Sequence, residues 1–143
     1  MTNREYLEKT FEGLLGMIAD NDLREKTIKC FEMAMEKGKK SGKDLENMPF
    51  TLLADTKGVN FIEHTKAVTA GAFALYEAIA QTYHEMPFEV NRDWLIAGGL
   101  LHDVGKCMEI EIDGGLWRKS YAGKCARHPI SGAILAAQAG LPQ

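Results

Sequence analysis

The sequence predicts an all-α fold, a helical bundle with room for one short β-hairpin near 109–121. Three observations carry this expectation. Apolar residues recur at helical spacing along most of the chain. Pro87, Pro129 and Gly140 stand at the ends of those stretches, where helices start and stop. Only one short segment, around Asp113, Gly114 and Gly115, has turn residues between runs short enough to be strands.

Each element follows from its own residues. Leu7, Phe11, Leu14, Leu15 and Ile18 share one helical face, with charged residues on the others, so the first helix runs to Ile18. Asn21 or Asp22 caps a second, which turns Leu23, Ile28, Phe31 and Met35 inward and ends near Gly38 among lysines that suit a helix C-terminus. Residues 39–60 contain Gly42, Pro49 and Gly58 and one short apolar run, Phe50 to Ala54, and read as a connection. From Phe61 to about Met86 there is no proline and alanine is frequent, which predicts the longest helix, stopped by Pro87. Asn91 caps the next, whose Trp94, Leu95, Ala97, Leu100, Leu101 and Val104 make it apolar around its circumference and therefore central and buried. Gly98 and Gly99 inside it cost about 1 kcal/mol each against alanine and signal another element approaching closely. Glu109 to Ile112 and Leu116 to Tyr121 flank the Asp113-Gly114-Gly115 turn as a hairpin, and a loop without paired strands fits the same residues. Pro129 suits the first turn of a last helix, ended by Gly140.

Composition bounds the function. The chain has 143 residues, 45% apolar and 26% charged, the size and make-up of one globular domain. A net charge of -3 argues against general DNA binding. Trp94 to Leu101, the longest apolar stretch, is far short of the roughly 20 residues that cross a bilayer, so no membrane association and a cytoplasmic location are expected. Cys30, Cys107 and Cys125 form no CxxC pair and read as buried, inert thiols in a reducing compartment.

The residues that carry chemistry are His64, early in the long helix, His102 beside Asp103 in the most apolar helix, and His128 at the start of the last one. An ionised aspartate among Leu100, Leu101 and Val104 is costly unless paired or metal-bound. His102 and Asp103 lie about 100° apart on a helix, and both reach one ion placed between their faces. Imidazole nitrogens with a carboxylate oxygen suit Mn²⁺, Fe²⁺, Co²⁺ or Zn²⁺, and suit Mg²⁺ less. Each residue also has a plainer reading: His64 as a satisfied core histidine, Asp103 as a cap or a partner of Lys106, His84 as solvated surface. Spacing alone does not bring the three histidines together.

Glu63-His64-Thr65, then Leu100-Leu101-His102-Asp103-Val104-Gly105-Lys106, then His128-Pro129 with Gly132-Ala133 and Ile134-Leu135 resemble the HD-domain metal-dependent phosphohydrolases. The resemblance implies an HD-domain-like bundle. It implies His64, His102 and Asp103 as ligands of a primary metal and His128 as ligand of a second metal or a phosphate contact. It implies hydrolysis of a phosphomonoester or phosphodiester, of a nucleotide or another small phosphorylated substrate, by a metal-activated water, with Asp103 and Lys106 in catalytic roles. Lys106 follows His102 by four residues, hence on its face, within reach of a phosphate. Arg118, Lys119, Lys124 and Arg127 make an acid-free cationic stretch before His128, and Arg118, Lys124 and Arg127 join Lys106 as expected substrate contacts. Complete HD domains carry a further aspartate ligand on later helices, and no Asp or His follows His128 here. The expected organisation is therefore an N-terminal helical segment, 1–60, packed on the front part of an HD domain, 61–143, truncated at its C-terminus. The alternative is a non-catalytic nucleotide-sensing module with an incomplete metal site, and homo-oligomers are compatible with either.

Overall fold

In the computed structural model, which describes residues 1–143, Thr2 opens the first helix with a reciprocal capping box. Its hydroxyl accepts from the Glu5 N–H, and the Glu5 carboxylate accepts from the Thr2 N–H. Helix α1 spans Asn3–Thr10 and breaks at Phe11, and α2 resumes over Glu12–Leu15. The single helix expected to Ile18 is thus two: Gly13 and Gly16 favour helix poorly, and the break turns Phe11 onto Phe31, ring centroids 5.4 Å apart. Helix α3, Asn21–Lys37, is capped by Asp20 rather than Asn21 or Asp22, because Asp20 is the last extended residue and its carboxylate accepts from the Leu23 N–H at 3.1 Å.

The expected connection contains a helix, α4, Gly42–Asn47, opened by a Ser41–Asp44 capping box and held by the fully buried Leu45 and Met48. An irregular strap then runs to Asn60, closed by an antiparallel bridge between Pro49 and Asn60. Asn60 caps α5, Phe61–Thr82, which ends at Tyr83, before the Met86 boundary expected from Pro87.

Helix α6, Arg92–Leu101, packs along α5 with Ile96, Ala97 and Leu100 buried and Asn91 as its cap. It is buried on one side only: Trp94 is 50% exposed, which corrects the expectation of a helix enclosed all round. The close approach anticipated at its glycines holds for Gly99, where a Cβ would stand 2.9 Å from Thr69 Cγ2, and fails at Gly98, which has nothing near it. The helix stops at Leu101, short of Val104, in a tight turn that delivers the chain to α7, Lys106–Glu109. Strands β1, Ile110–Asp113, and β2, Leu116–Lys119, form the antiparallel hairpin with Ile110 opposite Lys119. A short α8, Tyr121–Cys125, leads to α9, His128–Ala139, with Pro129 in its first turn and Gly140, at φ 83°, as its left-handed cap.

One hydrophobic cluster includes Leu7, Phe31, Phe61, Leu100 and Leu135, so segments on both sides of residue 60 share it. Cys30 and Cys107 are buried, and burial pushes their thiols up to about 11 and about 12. Cys125 is exposed, against expectation, because the five-residue α8 lies at the surface. No helix is long and apolar enough to cross a membrane.

Candidate metal centre

The turn after α6 and the start of α9 meet at Gly105, where a Cβ would stand 2.2 Å from the His128 carbonyl oxygen. Only glycine permits that approach, and it brings His128 beside Asp103. Asp103, in the same turn, is 5% exposed. His64 in the first turn of α5 and His102 at the C-terminus of α6 present Nε2 to Asp103 Oδ2 at 3.3 and 3.2 Å. His128 presents Nε2 to the other oxygen, Oδ1, at 3.2 Å. The ligand atoms of His64, His102 and Asp103 lie within 4.8 Å of one another, a candidate metal site.

The rings are held from behind. His102 Nδ1 lies 2.7 Å from the Gly99 carbonyl, to which it donates, leaving Nε2 as the outward atom. His128 Nδ1 lies 2.7 Å from Glu109 Oε2, and the same oxygen accepts from the His128 backbone N–H. Arg127 Nε donates to Glu109 Oε1 at 2.9 Å, so this buried carboxylate is fully engaged. The His64 ring stacks on Phe50 of the strap, centroids 4.2 Å apart and planes 9° from parallel. Lys106 Nζ donates to the Phe50 carbonyl at 2.6 Å and to Asp103 Oδ2 at 2.7 Å.

The charges follow from these contacts. Burial by itself raises the Asp103 pKa, but hydrogen bonds from His102 and Lys106 outweigh it and hold the carboxyl well below the usual carboxylate range. The bond to Asp103 raises His102, whereas burial lowers His64 despite the same carboxylate. Burial also works against the Glu109 charge, and the His128 N–H, the His128 ring and Arg127 pull its pKa down. Two imidazole nitrogens and a carboxylate oxygen, from His64, His102 and Asp103, are a donor set that fits a divalent transition metal, and His128 faces the same carboxylate. The sequence pattern of the HD domain matches residues 61–143, over half of the chain. The chain belongs to the HD-domain family. HD domains are usually metal-dependent phosphohydrolases acting on phosphorylated compounds. No curated protein and no solved structure matches this HD domain significantly.

The other expected site residues are dispersed. Arg127 adjoins the centre through Glu109. Arg118 turns to Asp113 and Glu111 of its own hairpin. Lys124 is exposed on α8, and His84 is exposed as expected. An apolar groove of about 420 Å³ is lined by His102 together with Trp94, Gly98, Leu101, Pro129 and Ala133 among others. Two supports of the centre escaped the sequence reading. Glu109 looked like a strand residue, and its only signal was an acid next to buried neighbours; Phe50 sat in an apolar run within what read as a connection.

Proposed function

We propose that this HD domain hydrolyses a phosphomonoester or phosphodiester of an organic compound, a nucleotide among them. The ligands in this reading are His64, His102 and Asp103, with His128 as ligand of a second metal or as a phosphate contact. The observation that carries it is the convergence of three Nε2 atoms on both oxygens of one buried carboxylate. A bound Mn²⁺, Fe²⁺, Co²⁺ or Zn²⁺ supplies a water of lowered pKa and positive charge for the phosphoryl oxygens.

The protein's own groups do the rest. Asp103 stays anionic because its neighbours donate to it. The Gly99 carbonyl and the Glu109 carboxylate hold the Nδ1 protons of His102 and His128, which keeps each Nε2 free to ligate. Lys106, anchored on the Phe50 carbonyl, keeps an ammonium at the carboxylate, where it offsets charge that develops on a phosphoryl group. The groove beside His102 supports an organic substrate body over inorganic phosphate.

One observation favours the sensing module instead: with Glu109 fully engaged, Asp103 is the only carboxylate turned to the centre. Metal analysis of the purified protein, with assays on phosphomonoesters, phosphodiesters and cyclic nucleotides, separates the two. Metal with turnover supports the hydrolase, and nucleotide binding without turnover supports the sensor. His102→Ala and Asp103→Ala are each expected to abolish metal retention; full metal content in both would overturn the ligand assignment.

A further inference from the structure

A small polar pocket of about 130 Å³ lies between the strap and the hairpin, separate from the apolar groove. Its walls are Thr51 to Leu53 of the strap, Lys106 and Glu109 of α7, Lys119 of β2, and Arg127 and His128 at the entry to α9. Lys106 and His128 belong to both the pocket and the cluster around Asp103, so the pocket opens directly onto the centre. Its size suits one phosphoryl group.

Its charge is not balanced from within. Lys106 is matched by Asp103 and Arg127 by Glu109, whereas Lys119 forms no ion pair. Arg127 spends only Nε on Glu109, and its terminal nitrogens have no partner in the protein. The alternation of β2 explains why Lys119 takes this place: Trp117 and Lys119 share the half-buried face, and Arg118 points the other way to the hairpin acids. Two lining residues with cationic groups left over, Lys119 without an ion pair and Arg127 with unpaired terminal nitrogens, suit a phosphate, since its charge of nearly two and three oxygens accept from several donors at once.

We infer that this pocket is a subsite for a second phosphoryl group, with Lys119 and the Arg127 terminal nitrogens as its donors, and that the preferred substrates carry two phosphoryl groups. The inference rests on the hydrolase reading only for what occupies the centre. Its test therefore needs no turnover: the full chain, freed of metal by chelator, is titrated calorimetrically with inorganic pyrophosphate. Lys119→Ala is expected to weaken binding about tenfold, the loss of one charge-assisted hydrogen bond, with Lys119→Arg recovering most of it. Lys29→Ala, at an exposed lysine of α3 outside the pocket, is expected to match the wild type, which shows that general surface charge is not the cause. A parallel titration with malonate is expected to depend less on Lys119. Equal pyrophosphate affinity in wild type and Lys119→Ala, no binding by the wild type, or a stronger dependence with malonate would each overturn the subsite. Absence of hydrolysis by the metal-loaded wild type overturns the hydrolase reading and leaves the pyrophosphate result standing.

Discussion

A carboxylate as secluded as Asp103 loses most of its hydration, which by itself favours the protonated form. It keeps its charge because Lys106 donates to it and three imidazoles face it. Two of those imidazoles depend in turn on an acceptor behind the ring, and Glu109 does this for His128 while taking Arg127 on its other oxygen. A histidine whose far nitrogen donates to a carboxylate is oriented, with its other nitrogen left free to ligate. Glu109→Gln keeps the shape and removes the charge, so metal affinity, read by competition with a chromophoric chelator, is expected to fall 10–100-fold, the usual effect of losing such a partner. Unchanged affinity would mean that His128 does not take part in metal binding. His102 and Asp103 were legible in the sequence because an ionisable pair stood out against Leu100, Leu101 and Val104, and His64 and His128 were legible only through the motifs shared with the family. Glu109 and Phe50 were not, since neither differs from an ordinary strand or loop residue until the fold sets it against a histidine.

Helices α3, α5, α6 and α9 were legible for the same kind of reason: each has an apolar stripe that opens at a capping residue or, in α9, at Pro129. The division of the first helix was not, because the apolar period runs through Phe11 without a fault and only packing on Phe31 shows the bend. Helix α4 carries its Ser41–Asp44 capping box in plain view, yet six residues with one buried leucine and a neighbouring methionine are too short to register as a period. Contacts between elements are the least legible of all, and Asp93 is an example. From the first turn of α6 its carboxylate accepts from the backbone N–H groups of Ala19 and Asp20 at 3.1 and 2.8 Å, tying α6 to the entry of α3. Those two hydrogen bonds hold its pKa below the ordinary aspartate value. The folded state thus binds this proton less readily than the unfolded chain. The resulting stabilisation is complete above the unfolded value of about 3.9 and is lost as pH falls through the lower folded value. Solvent screens so open a site, so Asp93→Asn is expected to cost about 0.5–1 kcal/mol at neutral pH. Urea midpoints of the two proteins are expected to converge below about pH 4; an equally wide gap in acid would assign the loss to shape rather than charge.

At the scale of the whole molecule, the centre is a place where distant parts of the chain are held together. The strap reaches it through Phe50, α5 through His64, the turn after α6 through His102 and Asp103, and α9 through His128. None of these lies near another in an unfolded chain except His102 and Asp103, so an ion held by His64, His102 and Asp103 together binds the native state alone. By mass action such a ligand at a hundred times its Kd stabilises the fold by about 2.7 kcal/mol. For a chain of this length, at about 3 °C per kcal/mol, that is a rise in Tm of about 8 °C. Thermal unfolding of chelator-treated protein is therefore expected to move up by that order with Mn²⁺, Co²⁺ or Zn²⁺, by less with Mg²⁺, and to return when chelator is added. The same ions are expected to leave His102→Ala unmoved, because the remaining donors no longer enclose one position. A wild-type Tm indifferent to every one of these metals would remove the reason to read the cluster as a metal centre. The Lys106–Asp103 ion pair would then be what the buried charge is for.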